Sequence, residues 1–253
     1  MRLRRWLVFA FGLCSVGALA CTDLSGSSTG VLSIQFDSLA APSVVVGDTL
    51  RDTTGAVIVP VVHAFNFKGV EITSVPVRFQ SPDSGVVVDS VTGTVFGDSL
   101  RSTAARIVAT VGSLQAIQKV DVTLRPDLLT AVTGRDSLSY SLIDSTLNVS
   151  PQLAVKLTHG VAPNDSAVKS YIVSFAIVSQ SDPNLGTLVN DAGRPANVDT
   201  TDANGVASRT IRLHPVFLVS ETDSIIVSAT AKYRGAAVSG SPVRLVLKIK
   251  PRT

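Results

Sequence analysis

The sequence predicts an all-β protein in which two β-sandwiches follow one another along the chain. Three observations lead there. Apolar residues recur with period two through most of the chain, as half-buried strands require. The runs are rich in Val and cut by Gly, Ser, Asp and Pro, and β-branched side chains suit a pleated surface better than a helix. No sustained i, i+3, i+4 apolar pattern competes with them. Many short strands with turn punctuation, and too few helices to cover a sheet, imply sheet packed on sheet.

The elements follow in order. Arg2, Arg4 and Arg5 form a basic start, Trp6 to Leu13 with Val16 to Ala20 an apolar run, and Ala18-Leu19-Ala20 places small residues before Cys21. Fifteen helical residues would reach roughly 22 Å, short of a ~30 Å hydrocarbon core, so residues 1–20 read as an export signal. Residues 21–30, with Thr22-Asp23-Leu24-Ser25-Gly26-Ser27-Ser28-Thr29-Gly30, form a polar tether without periodicity, spanning roughly 15–18 Å as a flexible coil. The first sandwich is placed at 31–125. There Val75, Val77 and Phe79 alternate with Pro76, Arg78 and Gln80, Ile107, Ala109 and Val111 with Arg106 and Thr110, and Val120, Val122 and Leu124 with Asp121 and Thr123. Arg125-Pro126-Asp127 breaks the pattern, since proline lacks a ladder donor and holds the residue before it extended. The second sandwich is placed at 127–253. Leu153, Val155 and Leu157 oppose Lys156 and Thr158; Ile225, Val227, Ala229 and Ala231 oppose Ser228 and Thr230; Val243, Leu245, Leu247 and Ile249 oppose Arg244, Lys248 and Lys250.

Two resemblances rest on these residues. The stretch ending at Cys21 resembles the bacterial lipoprotein signal, although Ala18 stands where that family usually has Leu. The resemblance implies lipidation of Cys21 after cleavage at Ala20–Cys21. Ala18-x-Ala20 also fits ordinary signal cleavage, and an uncleaved anchor is a third possibility. Cys14 lies within the signal, so Cys21 would be the single cysteine left, and a lone thiol in an oxidising compartment is better explained as a lipid acceptor. The two halves also echo each other: Val77-Arg78-Phe79 matches Val173-Ser174-Phe175, and Ile107-Val108-Ala109-Thr110 matches Ile226-Val227-Ser228-Ala229-Thr230. The second half is longer between these landmarks by about 23 residues, and the extra stretch contains Thr201-Asp202-Ala203-Asn204-Gly205-Val206-Ala207. That segment, between a V-x-F strand and an A-T strand, resembles the bacterial Ig-like repeats of invasin- and intimin-type surface proteins. Residues 31–125, with Val46-Gly47-Asp48-Thr49, resemble a shorter bacterial Ig-like group. The resemblance implies tandem Ig-like modules serving as spacers or adhesive units, without an active site.

Charge excludes one class of partner. The chain has 22 basic and 19 acidic residues. Residues 1–20 hold three of the arginines and no acid, leaving 19 against 19 downstream. With no Lys/Arg cluster interleaved with aromatics, nucleic-acid binding is not expected. The single Trp lies in the signal, so a core Trp packed on a disulfide is excluded as well.

Candidate chemistry is sparse. Gly97-Asp98-Ser99-Leu100 spells the GDSL string of an esterase family, which pairs its Ser with an Asp-x-x-His. The residues three before His63, His159 and His214 are Pro60, Lys156 and Ile211, so Ser99 lacks that base and the string reads as a turn. Asp199 to Gly205 faintly suggests a calcium loop, but the position where an EF-hand needs Glu is Ile211. Asn204-Gly205 instead reads as a hairpin turn in which both residues tolerate positive φ. His63 falls in phase with Val61, Phe65 and Phe67 and is expected to be half-buried and hydrogen-bonded; His159 and His214 sit at strand ends. No metal site, cofactor or small-molecule substrate is expected. Val86-Val87-Val88 reads as a core strand covered on both faces. The connections Thr158–Lys169 and Ser179–Thr200 are read as long loops suited to carry specificity.

The expected product is a non-enzymatic protein, exported and held by lipid on Cys21 in the bacterial cell envelope, at the outer membrane. It would act as an adhesive or binding module for a protein or glycan, or as a spacer. A secreted or periplasmic subunit of a larger envelope assembly is the alternative.

Overall fold

The computed structural model describes residues 30–144, 146, 148–214 and 223–251. Among these residues the secondary structure is β throughout, and no helix is long and apolar enough to cross a membrane. The signal and Cys21 lie outside the described residues.

The first half contains β1 (Ser33–Phe36), β2 (Ser43–Val45), β3 (Val62–Phe65), β4 (Arg78–Gln80), β5 (Val86–Val88), β6 (Val95–Gly97), β7 (Ala105–Val111) and β8 (Leu114–Thr123). A four-stranded sheet runs β2-β8-β7-β4, with the smaller pairs β1-β3 and β5-β6 beside it. Its core joins Val44 of β2, Phe79 of β4, Ile107 and Ala109 of β7 and Val120 and Val122 of β8 to Leu50, Val86 and Val95. The inward positions are the alternating ones read from the sequence, which is why so small an element as β4 keeps its register.

The second half contains β9 (Leu128–Ala131), β10 (Arg135–Tyr140), β11 (Leu153–His159), β12 (Ser166–Ala167), β13 (Ile172–Ser179), β14 (Gly186–Val189), β15 (Val198–Thr200), β16 (Val206–Leu213), β17 (Ser224–Thr230), β18 (Lys232–Tyr233), β19 (Ala236–Ala237) and β20 (Val243–Pro251). One sheet is ordered β10-β20-β17-β13-β15; the other is β12-β11-β16-β14, with β9 also on β11. Between them lies a larger core containing Leu153, Phe175, Ile211, Ile225, Leu245, Leu247 and Ile249.

The echo between the halves is structural. In each, an early strand runs parallel to the last one, β2 on β8 and β10 on β20. Phe79 pairs with Ala109 and Arg78 with Thr110; Phe175 pairs with Ala229 and Ser174 with Thr230. The same F-on-A, x-on-T register therefore recurs in sheets of the same order. The longer segment of the second half accommodates β14, β15 and β16 where the first half has only the β5-β6 hairpin.

Several expectations need correction. Val87 is 57% exposed and lies opposite the 39% exposed Phe96, so β5 is covered on one face only. An apolar run does not reveal a two-sided burial when its sheet is a two-stranded edge. The stretches Thr158–Lys169 and Ser179–Thr200 are not long loops: the first carries β12, and the second carries β14, β15 and the core residues Leu185 and Leu188. Their Asp, Asn and Pro residues mark tight turns between short strands.

Turn chemistry is also more uniform than expected. Asp202 O accepts from Gly205 N at 3.0 Å, Asp202 N donates to Val206 O at 2.9 Å, and Asp202 Oδ1 accepts from the N–H groups of Asn204 and Val206. Gly205 has φ +75°, whereas Asn204 is not in the left-handed region. This is a type I turn closed by a left-handed glycine, not a two-residue turn with both centres at positive φ. The same bonds recur at Asp52–Gly55, Asn66–Gly69 and Asn190–Gly193, so Asp/Asn-x-x-Gly is the hairpin unit of this chain.

These repeated turns allow a controlled comparison. Gly69 (φ +72°) faces open space, but a Cβ on Gly205 would lie 2.5 Å from Leu157 O. Gly69→Ala should cost only the left-handed backbone penalty of about 1–2 kcal/mol. Gly205→Ala should cost about 1–3 kcal/mol more, because β11 must move. Urea denaturation of both variants measures the difference, and equal losses would show that β11 does not pass over this turn.

Candidate functional site

The residues with the strongest constraints gather where the two halves meet. Gly47, with φ +76°, turns the chain after β2 so that Asp48 N–H donates to Val45 O at 3.0 Å. Gly97 N–H donates to Asp48 O at 3.0 Å, and a Cβ on Gly97 would come 2.5 Å from Val45 O. Gly97 is therefore fixed by the approach of β6 to the β2 backbone. That accounts for the first letter of the GDSL string.

The turn directs a carboxylate into the joint. Asp48 is 3% exposed. Its Oδ1 accepts from Thr49 N–H at 2.8 Å and from Arg51 Nε at 3.1 Å, and its Oδ2 from Arg234 Nε at 2.8 Å. Arg234 belongs to the β18-β19 turn of the second half and sits over the Tyr233 ring. Burial by itself would raise the Asp48 carboxyl. The hydrogen bonds from Arg234, Thr49, Tyr233 and Arg51 outweigh it and hold the group well below the usual carboxylate range.

Further bonds cross the same joint. Ser43 Oγ donates to Ser170 O at 2.6 Å, Ser170 Oγ donates to Asp121 Oδ2 at 2.7 Å, and Lys169 Nζ donates to Arg101 O at 2.9 Å. Ser170 and Arg234 both hold left-handed backbone, at φ 54° and 50°. Such strain persists only where surroundings over-determine it, and here both residues bond across the joint. Ile172 of β13 packs against the core of the first half. In the connector, Asp127 accepts from Arg125 Nε at 2.7 Å and from Gly160 N–H at 2.9 Å, with His159 Nδ1 2.6 Å away. Burial opposes ionisation of Asp127, but Gly160 N–H and Arg125 prevail and lower its pKa.

Beside these contacts is a cleft of about 360 Å³ between the halves, lined among others by Ser43, Arg51, Thr53, Ser174, Thr230 and Lys232. Its lining is mixed: hydroxyls, the cations Arg51 and Lys232 and the Asp52 carboxylate stand beside the apolar Pro42, Tyr171 and Ile172.

The other candidates do not assemble. Ser99 is exposed, and Asp98 N–H donates to Gly85 O at 2.9 Å in a turn. Two of the three described histidines are engaged elsewhere, His159 as above and His63 with Glu71 Oε1 at 2.6 Å and Asp37 Oδ2 at 3.1 Å, and His214 is exposed at the end of β16. His63 is half-buried and hydrogen-bonded, but the face it shares with Val61 and Phe67 is the outer one; Ala64 turns inward. Among the described residues no cluster of His, Cys, Asp and Glu is arranged to hold a metal ion. Sequence reading noticed Asp48 only within Val46-Gly47-Asp48-Thr49 and missed Arg234. Nothing local to Tyr233-Arg234-Gly235 marks it as a partner of Asp48.

No protein-family model matches this chain, and no curated protein matches it. Solved structures similar to it include surface layer protein SbsC domains 1–6, with 13% identity and a TM-score of 0.32, over 90% of this chain and 29% of that one. SbsC domains 4 and 5 align with 13% identity and a TM-score of 0.32, over 88% of this chain and 100% of that one. Human protocadherin-24 EC1-2 aligns with 14% identity and a TM-score of 0.28, over 88% of this chain and 100% of that one. The chain thus spans about three-tenths of the six-domain SbsC structure, 29% of its length.

Two pH responses follow from the geometry. Asp48 is lowered in the fold, so its contribution is present above the unfolded carboxylate pKa of about 3.9 and is lost as pH falls further. Asp48→Asn should lower stability at pH 7 by about 1.5–3 kcal/mol, the range for hydrogen bonds to a charged group, and the deficit should be smaller at pH 2. Urea melts at both pH values measure this. His63 is raised, first by the Glu71 hydrogen bond and then by Asp37. Its contribution is complete below the unfolded pKa of about 6.5 and disappears as pH rises through the higher folded value. His63→Gln should erase that alkaline loss of melting temperature, and an unchanged profile would contradict the assignment.

Proposed function

We propose that this chain is a non-enzymatic protein of the bacterial cell envelope, lipid-anchored at Cys21, whose paired Ig-like sandwiches present a binding surface away from the membrane. The observation that carries the reading is the joint. Arg234, Asp48, Ser43, Ser170 and Asp121 lock the halves together through groups that no catalytic step uses. A folded body held this firmly suits presentation or spacing of a surface. The GDSL string has no Asp-x-x-His to give Ser99 a base.

The lipid supplies the attachment in this reading. Two or three acyl chains at about 0.8 kcal/mol per buried CH₂ anchor a protein durably, where one chain holds it only marginally. Residues 22–30 would lift the sandwiches clear of the headgroups.

Cys21→Ser should move the protein from the membrane to the soluble fraction and abolish its labelling by fatty acid. Protease treatment of intact cells should digest the wild type if it faces outward from the outer membrane. Wild-type protein that is soluble and unlabelled would overturn the anchor, and full protection in intact cells would favour a periplasmic subunit.

A further inference from the structure

The outward face of the β10-β20-β17-β13-β15 sheet carries a pattern that the anchoring function does not use. Side chains alternate across a strand, so Leu245, Leu247 and Ile249 point into the core and Arg244, Lys248 and Lys250 point out. On β10 the outward residues are Arg135, Ser137 and Ser139; on β17 they are Ser224, Ile226, Ser228 and Thr230, with Val246 of β20 beside Ile226. The register lines them up. Lys250 is opposite Ser139, and Lys248 lies between Ser137 and Ser224. Arg135 stands on the next rung beside Val246, and Arg244 on the one after beside Ser228. Each successive rung therefore offers one cation, with the rungs about 7 Å apart along the strands.

Carboxylates are kept off this face. Asp136 lies in the inward phase and accepts from Ser137 N–H, and Asp199 of β15 is paired with Arg209. Asp223 precedes β17, outside the strand. No ion pair among the described residues engages Arg135, Arg244, Lys248, Lys250 or Lys232. Beyond Ser228 the same phase continues through Thr230 to Lys232, which line the cleft at the joint with Ser174 and Arg51. The cation ladder thus runs down to the joint, where the cleft also holds the Asp52 carboxylate.

We propose that this face binds an extended acidic polysaccharide, its carboxylates on the cation ladder and its hydroxyls on the serines and threonines. The proposal rests on the reading of the protein as a surface-presenting module and names its ligand class. Charge complementarity requires a polyanion. The face has no aromatic ring on which bases stack, which disfavours single-stranded nucleic acid. Its apolar members include the half-buried Ile226 and Val246 and the exposed Val198, with no exposed aromatic or leucine among them to enter a lipid surface, which disfavours a membrane.

The test uses the full chain in non-ionic detergent, titrated with oligogalacturonate and with neutral dextran of similar length. Oligogalacturonate should bind with an affinity that falls steeply with salt, and dextran should not bind. Lys248→Gln with Arg244→Gln should weaken binding at least tenfold while leaving the melting temperature near wild type. Lys119→Gln, on β8 of the first half, should leave binding unchanged. Absence of binding, insensitivity to the paired substitution, or tighter binding to DNA or to phosphatidylglycerol vesicles would overturn the proposal. Because the anchor plays no part in this titration, the fractionation of Cys21→Ser stands or falls separately.

Discussion

The arrangement of this molecule depends on one buried carboxylate between two guanidinium groups from opposite halves of the chain. Asp48 has lost most of its water, and removing a charge from water is costly unless partners replace the solvation. Arg51 and Thr49 supply part of that replacement within the first half; Arg234 supplies the rest from the second. Separating the halves would therefore leave Asp48 short of a partner. The bonds of Ser43, Ser170 and Asp121 act in the same direction, and the strained backbones of Ser170 and Arg234 persist because the joint surrounds them.

Fixing the joint has a consequence for the sheets. The first half covers the end of the β10-β20-β17-β13-β15 sheet near Ile172 and leaves the remainder of that outward face open. The core holds this sheet from within, through Phe175, Ile225, Leu245 and Leu247, so the outward cations of β10 and β20 take no part in core packing. Their composition is then a matter of solubility and recognition rather than stability. Exposed cations without acidic neighbours repel one another, a mild cost that an anionic partner would relieve.

The parts of this fold legible in sequence were those set by strand periodicity. Val243, Leu245, Leu247 and Ile249 announced both the inward face of β20 and the outward position of its cations. The V-x-F and A-T echo indicated a duplicated sheet, and the register of Phe79 on Ala109 and Phe175 on Ala229 carries it into three dimensions. Legibility failed where the outcome depended on neighbours distant in sequence. Val87 has the composition of a core residue, but the two-stranded β5-β6 sheet has nothing over its outer side. Asp48 and Arg234 are 186 residues apart, and no periodicity connects them. The recurrent Asp/Asn-x-x-Gly turn was a different kind of miss, since Asp52, Asn66, Asn190 and Asp202 each spell it plainly. The Asn204-Gly205 dipeptide is only the second half of that four-residue unit.

A joint that makes one body of the two sandwiches can be read from backbone ¹⁵N relaxation. In the wild type at neutral pH, amides of β7 and β8 and amides of β17 and β20 should fit a single rotational diffusion tensor. Replacing Asp48 and Ser170 together by alanine should split that tensor in two, while the chemical shifts within each core stay close to wild type. Two independent tensors in the wild-type protein would contradict the account.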